Sequence, residues 1–210
     1  MANKTSGKGV LATSGGKSLW FKVAALSGII TPIVAFSCIA LAIAYYPPFS
    51  WTDNALSDLG VVEGITSIVF NGGLIVSGIL ATIFAVGLYA YLGESTVGKA
   101  GSLLFVLDTL ALMLIGVFPE NVKPTHYYVS VMFFMLFPIA MLVLTATFLK
   151  KVKTKMGLFT FLVAAFAAAV WIIQWTVGFG SNVAIPETLS ALAASAWAIV
   201  LGVKMLKEKP

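Results

Sequence analysis

Six long apolar blocks, separated by short breaks rich in turn-forming or charged residues, restrict the fold of this chain more than any other feature. A helix needs about 20 predominantly apolar residues to cross the hydrocarbon of a bilayer. The blocks run approximately over Leu19–Tyr46, Ile65–Leu92, Gly101–Phe118, Tyr128–Leu149, Met156–Val177 and Glu187–Val203. The sequence therefore predicts an all-α, polytopic transmembrane bundle of six helices.

The composition supports a membrane protein. Charged residues make up 10% of the 210 residues and hydrophobic residues 60%, whereas soluble proteins average about 25% charged residues. The net charge of +5 does not indicate nucleic-acid binding, because the basic residues lie in the breaks and form no basic-aromatic surface. We expect membrane lipid as the partner and no nucleic acid or soluble cofactor.

The lysines predict an orientation. Twelve of the 13 basic residues, all lysines, lie before or at the start of the first block, after the sixth, or in the second and fourth breaks. Only Lys123 falls on the other side of a six-span arrangement. Because cytoplasmic loops carry an excess of lysine and arginine, we expect a multi-pass protein of the cell membrane with both termini in the cytoplasm. Residues 1–18 are predicted to be a disordered cytoplasmic tail, and residues 19–206 the six-span domain.

The acidic residues collect on the opposite, outer side. Asp53 and Asp58 lie in the first outer loop, Glu120 in the second and Glu187 at the start of the sixth block. The single histidine, His126, also lies on this side. This convergence makes the outer face the predicted location of any functional site. Glu187, which follows Pro186 at a helix start, is predicted to be a first-turn residue that stabilises the helix dipole rather than a site residue.

The first outer loop predicts a short helix lying in the membrane interface. Trp51, Leu56 and Leu59 would form its apolar side, with Thr52 or Asp53 as its N-cap.

Ser57 and Asp58 follow in the same loop, before the second span. They either cap that span, as serine and aspartate commonly do at helix starts, or contribute to a polar site.

The second outer loop places Glu120 and His126 between two prolines and the fourth block. A carboxylate–imidazole pair can orient a general base, bind a metal ion or form a structural hydrogen bond. The alternative for His126 is an interfacial position beside the aromatic belt of Tyr127 and Tyr128.

Asp108 is the one acidic residue predicted to lie within a span. A carboxylate there costs at least about 2.5 kcal/mol, so it must face the bundle interior. Asn71 and Gln174 are the polar partners that the other spans offer. A functional role and a neutral structural hydrogen bond are both consistent with this position.

Several kinds of site are absent from the sequence. One histidine and one cysteine, Cys38, cannot supply the three or four ligands of a conventional zinc site. The sequence contains no HExxH, GxSxG, P-loop or dinucleotide-binding motif. We therefore predict no conventional zinc site and no cofactor, and Asp58, Glu120 and His126 could hold a metal only as a carboxylate-rich site.

The order of four segments resembles an archaeal and bacterial family of six-helix membrane proteins known as domain of unknown function 998. These segments are Ser57-Asp58-Leu59-Gly60, Phe70-Asn71-Gly72-Gly73, Gly116-Val117-Phe118-Pro119-Glu120 and the single His126. The resemblance covers nearly all of the chain after residue 20. It implies a six-helix bundle with Asp58, Glu120 and His126 at the polar positions of the family.

A more distant similarity is to the DRAM and Frag-type proteins, some of which are linked to lipid remodelling. Alkaline ceramidases and progestin-receptor-like hydrolases use three histidines around zinc, and this chain has one.

These observations favour a protein that binds or modifies lipid in a polar pocket on the outer face. His126 would act as general base, Glu120 would orient it, and Asp58 would position a head group or a metal. Ser57, Asn71, Asp108 and Gln174 are the candidate binding residues. The alternatives are a non-catalytic scaffold, sensor or accessory subunit, and a small proton-coupled carrier that uses Asp108.

Overall fold

The computed structural model describes residues 8–93, 95–151 and 153–208, with side chains from Leu19 onward. These residues form six α-helices and a short 3-10 helix (Leu56–Val61), with no β-strand among them. The α-helices are α1 (Lys8–Ala44), α2 (Ile65–Tyr91), α3 (Thr96–Val117), α4 (Thr125–Lys150), α5 (Thr154–Thr176) and α6 (Ala184–Lys207). Each is long and apolar enough to cross a membrane, which confirms the prediction of an all-α, six-span protein.

The helices pack as a closed ring. Each contacts the next along the chain, and α6 returns to contact α1. Short connections between long helices favour antiparallel neighbours, so the loops alternate between two ends of the bundle. The acidic end carries the 3-10 helix and the α3–α4 and α5–α6 connections. The lysine end carries the α2–α3 and α4–α5 connections and the end of α6.

An aromatic core fills the half of the bundle nearer the lysine end. The rings of Phe84, Phe105 and Trp197 contact one another edge to face, with centroids 5.2–6.1 Å apart. The buried indole of Trp197 donates a hydrogen bond of 3.0 Å from Nε1 to Oγ1 of Thr160 on α5. This core joins α2, α3, α5 and α6.

A polar cluster closes the lysine end. The carboxylate of Glu208 accepts hydrogen bonds from Lys153 (2.8 Å) and Tyr91, and forms an ion pair of 2.9 Å with Lys204. Lys151 Nζ donates to the Leu92 carbonyl oxygen at 2.6 Å. These contacts tie the C-terminal end of α6 to α2 and to the α4–α5 connection.

The 3-10 helix, Leu56–Val61, lies differently from its prediction. Leu56 and Leu59 are buried in an apolar cluster with residues of α1, α2 and α3, so the segment closes the acidic end of the bundle rather than lying flat in the interface. Its N-cap is Ala55, not Thr52 or Asp53. The predicted N-cap was wrong because Asp53 is held in the preceding turn by Ser50.

Several helix boundaries also differ from the sequence interpretation. Helix α3 begins at Thr96, where the Ser95 hydroxyl caps it by accepting from the Gly98 N–H at 3.1 Å. Helix α4 begins at Thr125, so His126 lies in its first turn and not in the loop. Of the predicted tail, residues 1–7 lie outside the described residues, and from Lys8 the backbone is part of α1.

Candidate functional site

The Asp58 and Glu120 carboxyl groups meet at the acidic end, as the sequence predicted for the first and second outer loops. The two side chains lie close enough for Asp58 to raise the pKa of Glu120. Ser57 Oγ also donates to Glu120 Oε2 at 3.2 Å. The 3-10 helix and the α3–α4 connection, 63 positions apart in the chain, are therefore joined through these three side chains.

Asp58 caps the 3-10 helix and not the second span. Its Oδ2 atom accepts from the Ala55 N–H at 3.0 Å and from Asn54 Nδ2 at 2.7 Å. Helix α2 starts later, after Gly64. The capping interpretation of the sequence thus had the right interaction but the wrong helix.

Burial and charge perturb Glu120. Partial burial raises the pKa of this carboxyl, and the adjacent Asp58 raises it further through a hydrogen bond and charge repulsion. Ser57 and His126 act in the opposite direction without cancelling the increase in pKa. Glu120 therefore binds a proton more tightly than a solvent-exposed glutamate does.

Glu187, on α6, adds a further carboxyl group to this pair at the acidic end. Asp58, Glu120 and Glu187 together form the carboxyl cluster. Its Oε2 atom accepts from the backbone N–H of Leu56 at 2.6 Å, and only 9% of the residue is exposed. The sequence predicted a first-turn dipole residue, and Glu187 does lie in the first turn of α6. The structure adds a long-range role, since a backbone N–H of the 3-10 helix depends on this carboxyl.

His126 lies close to Glu120 but does not form the predicted pair with it. Its Nδ1 atom is 2.8 Å from the Phe118 carbonyl oxygen, and Nε2 is 3.3 Å from Ser130 Oγ. The Nδ1 contact fixes the tautomer, because a carbonyl oxygen can only accept. His126 therefore joins α4 to the end of α3, and Glu120 does not orient it. Its assignment as a general base stays a prediction.

An internal cavity extends from this cluster into the bundle. Its volume is about 120 Å³, and it is lined by residues of the 3-10 helix and of every α-helix except α5. Most of the lining is apolar, while Ser57 and Glu187 lie at the acidic end. On α6 the lining runs from Glu187 to Ala198, about 16 Å at 1.5 Å per residue. The cavity thus extends through roughly half of the hydrocarbon thickness of a bilayer.

Asp108 faces this cavity, as expected of an acidic residue within a span. It is 1% exposed, and its Oδ1 atom has no hydrogen-bond partner among the described residues. A buried acceptor without a partner costs about 1–3 kcal/mol. The predicted partners were wrong, because Asn71 and Gln174 both bond elsewhere.

Asn71 and Gln174 instead hold the acidic end in place. Asn71 Nδ2 donates to the Gly60 carbonyl oxygen at 2.8 Å, which ties α2 to the end of the 3-10 helix. Gln174 Oε1 accepts from the Phe179 N–H at 3.1 Å in the α5–α6 connection. Both residues position the loops around the cavity and neither lines it.

The carboxyl cluster does not form a metal centre. Within the described ranges, no three side chains of histidine, cysteine, aspartate or glutamate are grouped as metal ligands. The Asp58 and Glu187 oxygens that accept backbone hydrogen bonds are directed at Ala55 and Leu56.

A comparison with protein families assigns the chain to one of them. The model of the family described as "Protein of unknown function (DUF998)" matches residues 29–204. The chain belongs to the DUF998 family. The DUF998 match includes the 3-10 helix, both joined loops and every residue of the carboxyl cluster. No curated protein and no solved structure matches the chain.

Glu187 is the residue of this DUF998 protein whose part in the site the sequence interpretation missed. The signal that could have found it is a carboxyl group within the first turn of an apolar helix, on the face that has a single lysine. A helix-dipole role accounts for an exposed glutamate at a helix start, but an intramembrane carboxyl group needs a specific partner.

Proposed function

We propose that this protein binds a membrane amphiphile whose hydrocarbon part lies in the cavity and whose polar part binds one of the polar side chains that line it. The observation that carries the proposal is the cavity itself, which is apolar along most of its length and ends at Ser57 and Glu187. Ligand pockets are typically apolar with a few placed polar groups. An amphiphile matches this division of the lining.

The proposed orientation places the acidic end on the outer side and both termini in the cytoplasm of a cell-membrane protein. The lysine distribution supports it, because positively charged loops stay in the cytoplasm. A reporter fused after Pro210 tests it. Alkaline phosphatase activity from that fusion, which requires export, would contradict the orientation.

Lipid analysis of the purified protein tests the binding proposal. Ala191 lines the cavity on α6, whereas the neighbouring Leu192 is 50% exposed on the outer surface of the helix. We expect Ala191→Phe to reduce the co-purifying lipid several-fold, because the new ring occupies the cavity, while Leu192→Phe retains it. Equal lipid content in both variants and in the wild type would contradict the proposal.

A structural scaffold is the second candidate function, and a specific observation favours it. Hydrogen bonds of Glu187, Ser57, Asn71 and His126 all join separate segments of the acidic end. In a pure scaffold, His126→Ala lowers the thermal midpoint and changes no ligand. Loss of the co-purifying lipid in His126→Ala at an unchanged midpoint would exclude the pure scaffold.

A further inference from the structure

The polar side chains that line the cavity include carboxyl groups but, among the described residues, no cationic side chain. Its polar side chains are serine and threonine hydroxyls and two carboxyl groups, Asp108 and Glu187. Among the residues that the structure describes, no lysine, histidine or amide side chain lines it. An anionic group placed here would have no cation to bind and would lie beside carboxyl groups, so the lining disfavours phosphate and carboxylate.

The two carboxyl groups differ in what they already bind. Glu187 accepts the Leu56 N–H at 2.6 Å. Asp108 has an Oδ1 atom with no partner among the described residues, although the residue is 1% exposed. Five buried side-chain atoms lack a partner among the described residues, and of these five only Asp108 Oδ1 belongs to a side chain that lines the cavity.

The position of Asp108 sets where a ligand group would lie. Ile115, seven residues further along α3, lines the cavity near the acidic end, so Asp108 is about 10 Å deeper. Phe105 and Leu112, one turn before and after it, also line the cavity. The carboxyl of Asp108 is thus an acceptor about 10 Å from the acidic end, with apolar lining residues one turn before and one turn after it.

We propose that the cavity selects a long-chain amphiphile that carries a hydrogen-bond donor, a hydroxyl or an amine, and that this group binds Asp108. The inference rests on the proposed function and names the ligand class for the same cavity. Hydroxyl and amine groups share the chemistry that Asp108 Oδ1 requires, since both donate a hydrogen bond. Fatty acids and other anionic lipids bind weakly for the same reason.

Three probes of equal chain length test the selectivity with the full chain in detergent: dodecanol, dodecylamine and dodecanoate. Binding is measured as the ligand-induced shift of the thermal midpoint and by titration of tryptophan fluorescence. We expect dodecanol, dodecylamine or both to bind about tenfold or more tightly than dodecanoate, about the effect of one good hydrogen bond. Equal affinity for all three would overturn the inference and leave the proposed function intact, whereas no binding of any probe would overturn both.

Variants of Asp108 identify the group involved. Asp108→Leu should remove the preference over dodecanoate, and Glu63→Gln, which changes an exposed carboxyl, should keep it. Asp108→Asn retains an acceptor, so it should keep dodecanol binding and weaken dodecylamine binding if a charged amine is the natural partner. Unchanged affinities in both Asp108 variants would overturn the assignment to Asp108. The wild-type comparison needs no variant, so a variant that fails to fold does not prevent the test.

Discussion

Glu187 Oε2 accepts a hydrogen bond of 2.6 Å from the backbone N–H of Leu56, two residues that are 131 positions apart in the chain. The contact fastens the 3-10 helix to α6 and closes the acidic end of the ring. Because both groups are buried, water cannot replace either partner. The carboxyl of Glu187 therefore has a structural task whichever ligand the cavity binds.

Replacing Glu187 tests this contact. Glu187→Leu leaves the Leu56 N–H without an acceptor, so we expect a loss of about 1–3 kcal/mol in the free energy of unfolding. Glu187→Gln keeps an acceptor oxygen and should lose less. Thermal unfolding in detergent measures both, with Glu63→Gln as the exposed control. Equal midpoints for the leucine and glutamine variants would show that the hydrogen bond does not matter.

Glu120 should make the protein more stable as the pH falls through its raised folded pKa toward about 4.5. Burial and the neighbouring Asp58 raise the pKa of Glu120 in the folded state, so the folded protein binds a proton more tightly than the unfolded chain. Stability then decreases as pH rises from the unfolded pKa of about 4.5 through the higher folded pKa.

The variant Glu120→Gln isolates this contribution, because it cannot ionise but keeps an amide that can bond Ser57 and Asp58. We expect its midpoint to change less between pH 5 and 7.5 than that of the wild type. An identical pH dependence in the two proteins would rule out the shift at Glu120.

Glu208, at the lysine end, should make the protein less stable as the pH falls, which is the opposite of the effect expected for Glu120. Partial burial raises the pKa of Glu208, but the hydrogen bonds from Lys153, Tyr91 and Lys204 outweigh it and lower the pKa to about 2. A lowered carboxyl pKa contributes stability above the unfolded pKa, and this stability is lost as pH falls from about 4.5 toward 2.

Glu208→Gln should therefore lose stability at pH 7 and approach the wild type near pH 2.5. The loss should be about 1 kcal/mol or less, since the group is partly exposed and water screens the ion pairs. Thermal midpoints at the two pH values provide the measurement. A deficit that persists at low pH would point to packing and not to charge.

Gly180 should not tolerate a side chain. A Cβ atom at this position would lie 2.5 Å from the Thr52 carbonyl oxygen, where the loop before the 3-10 helix meets the α5–α6 connection. We expect Gly180→Ala to cost about 1–3 kcal/mol through this overlap. Gly72→Ala is the matched control, because its Cβ would have no neighbour within 4 Å. Similar thermal midpoints in the two variants would contradict the close approach.

The sequence predicted the type of fold well and the contacts at the acidic end only in part. Length and hydropathy indicate a membrane-spanning helix locally, so all six spans were predicted and confirmed. The meeting of Asp58 and Glu120 followed from placing both loops at one end. The partners of Asp108, Asn71 and Gln174 were not found, because side-chain pairing depends on how helices rotate and slide against one another.

The sequence by itself determined that the chain forms six apolar helices with its lysines and most of its carboxyl groups at opposite ends. Those features depend on the hydropathy of each segment and on the alternation that short loops impose. Only the tertiary structure decided that Glu187 binds Leu56, that His126 binds Phe118, and that Asp108 faces a cavity. The physical reason is that these relationships require the ring to close, which brings α6 back against α1 and places α3 and the 3-10 helix around one interior.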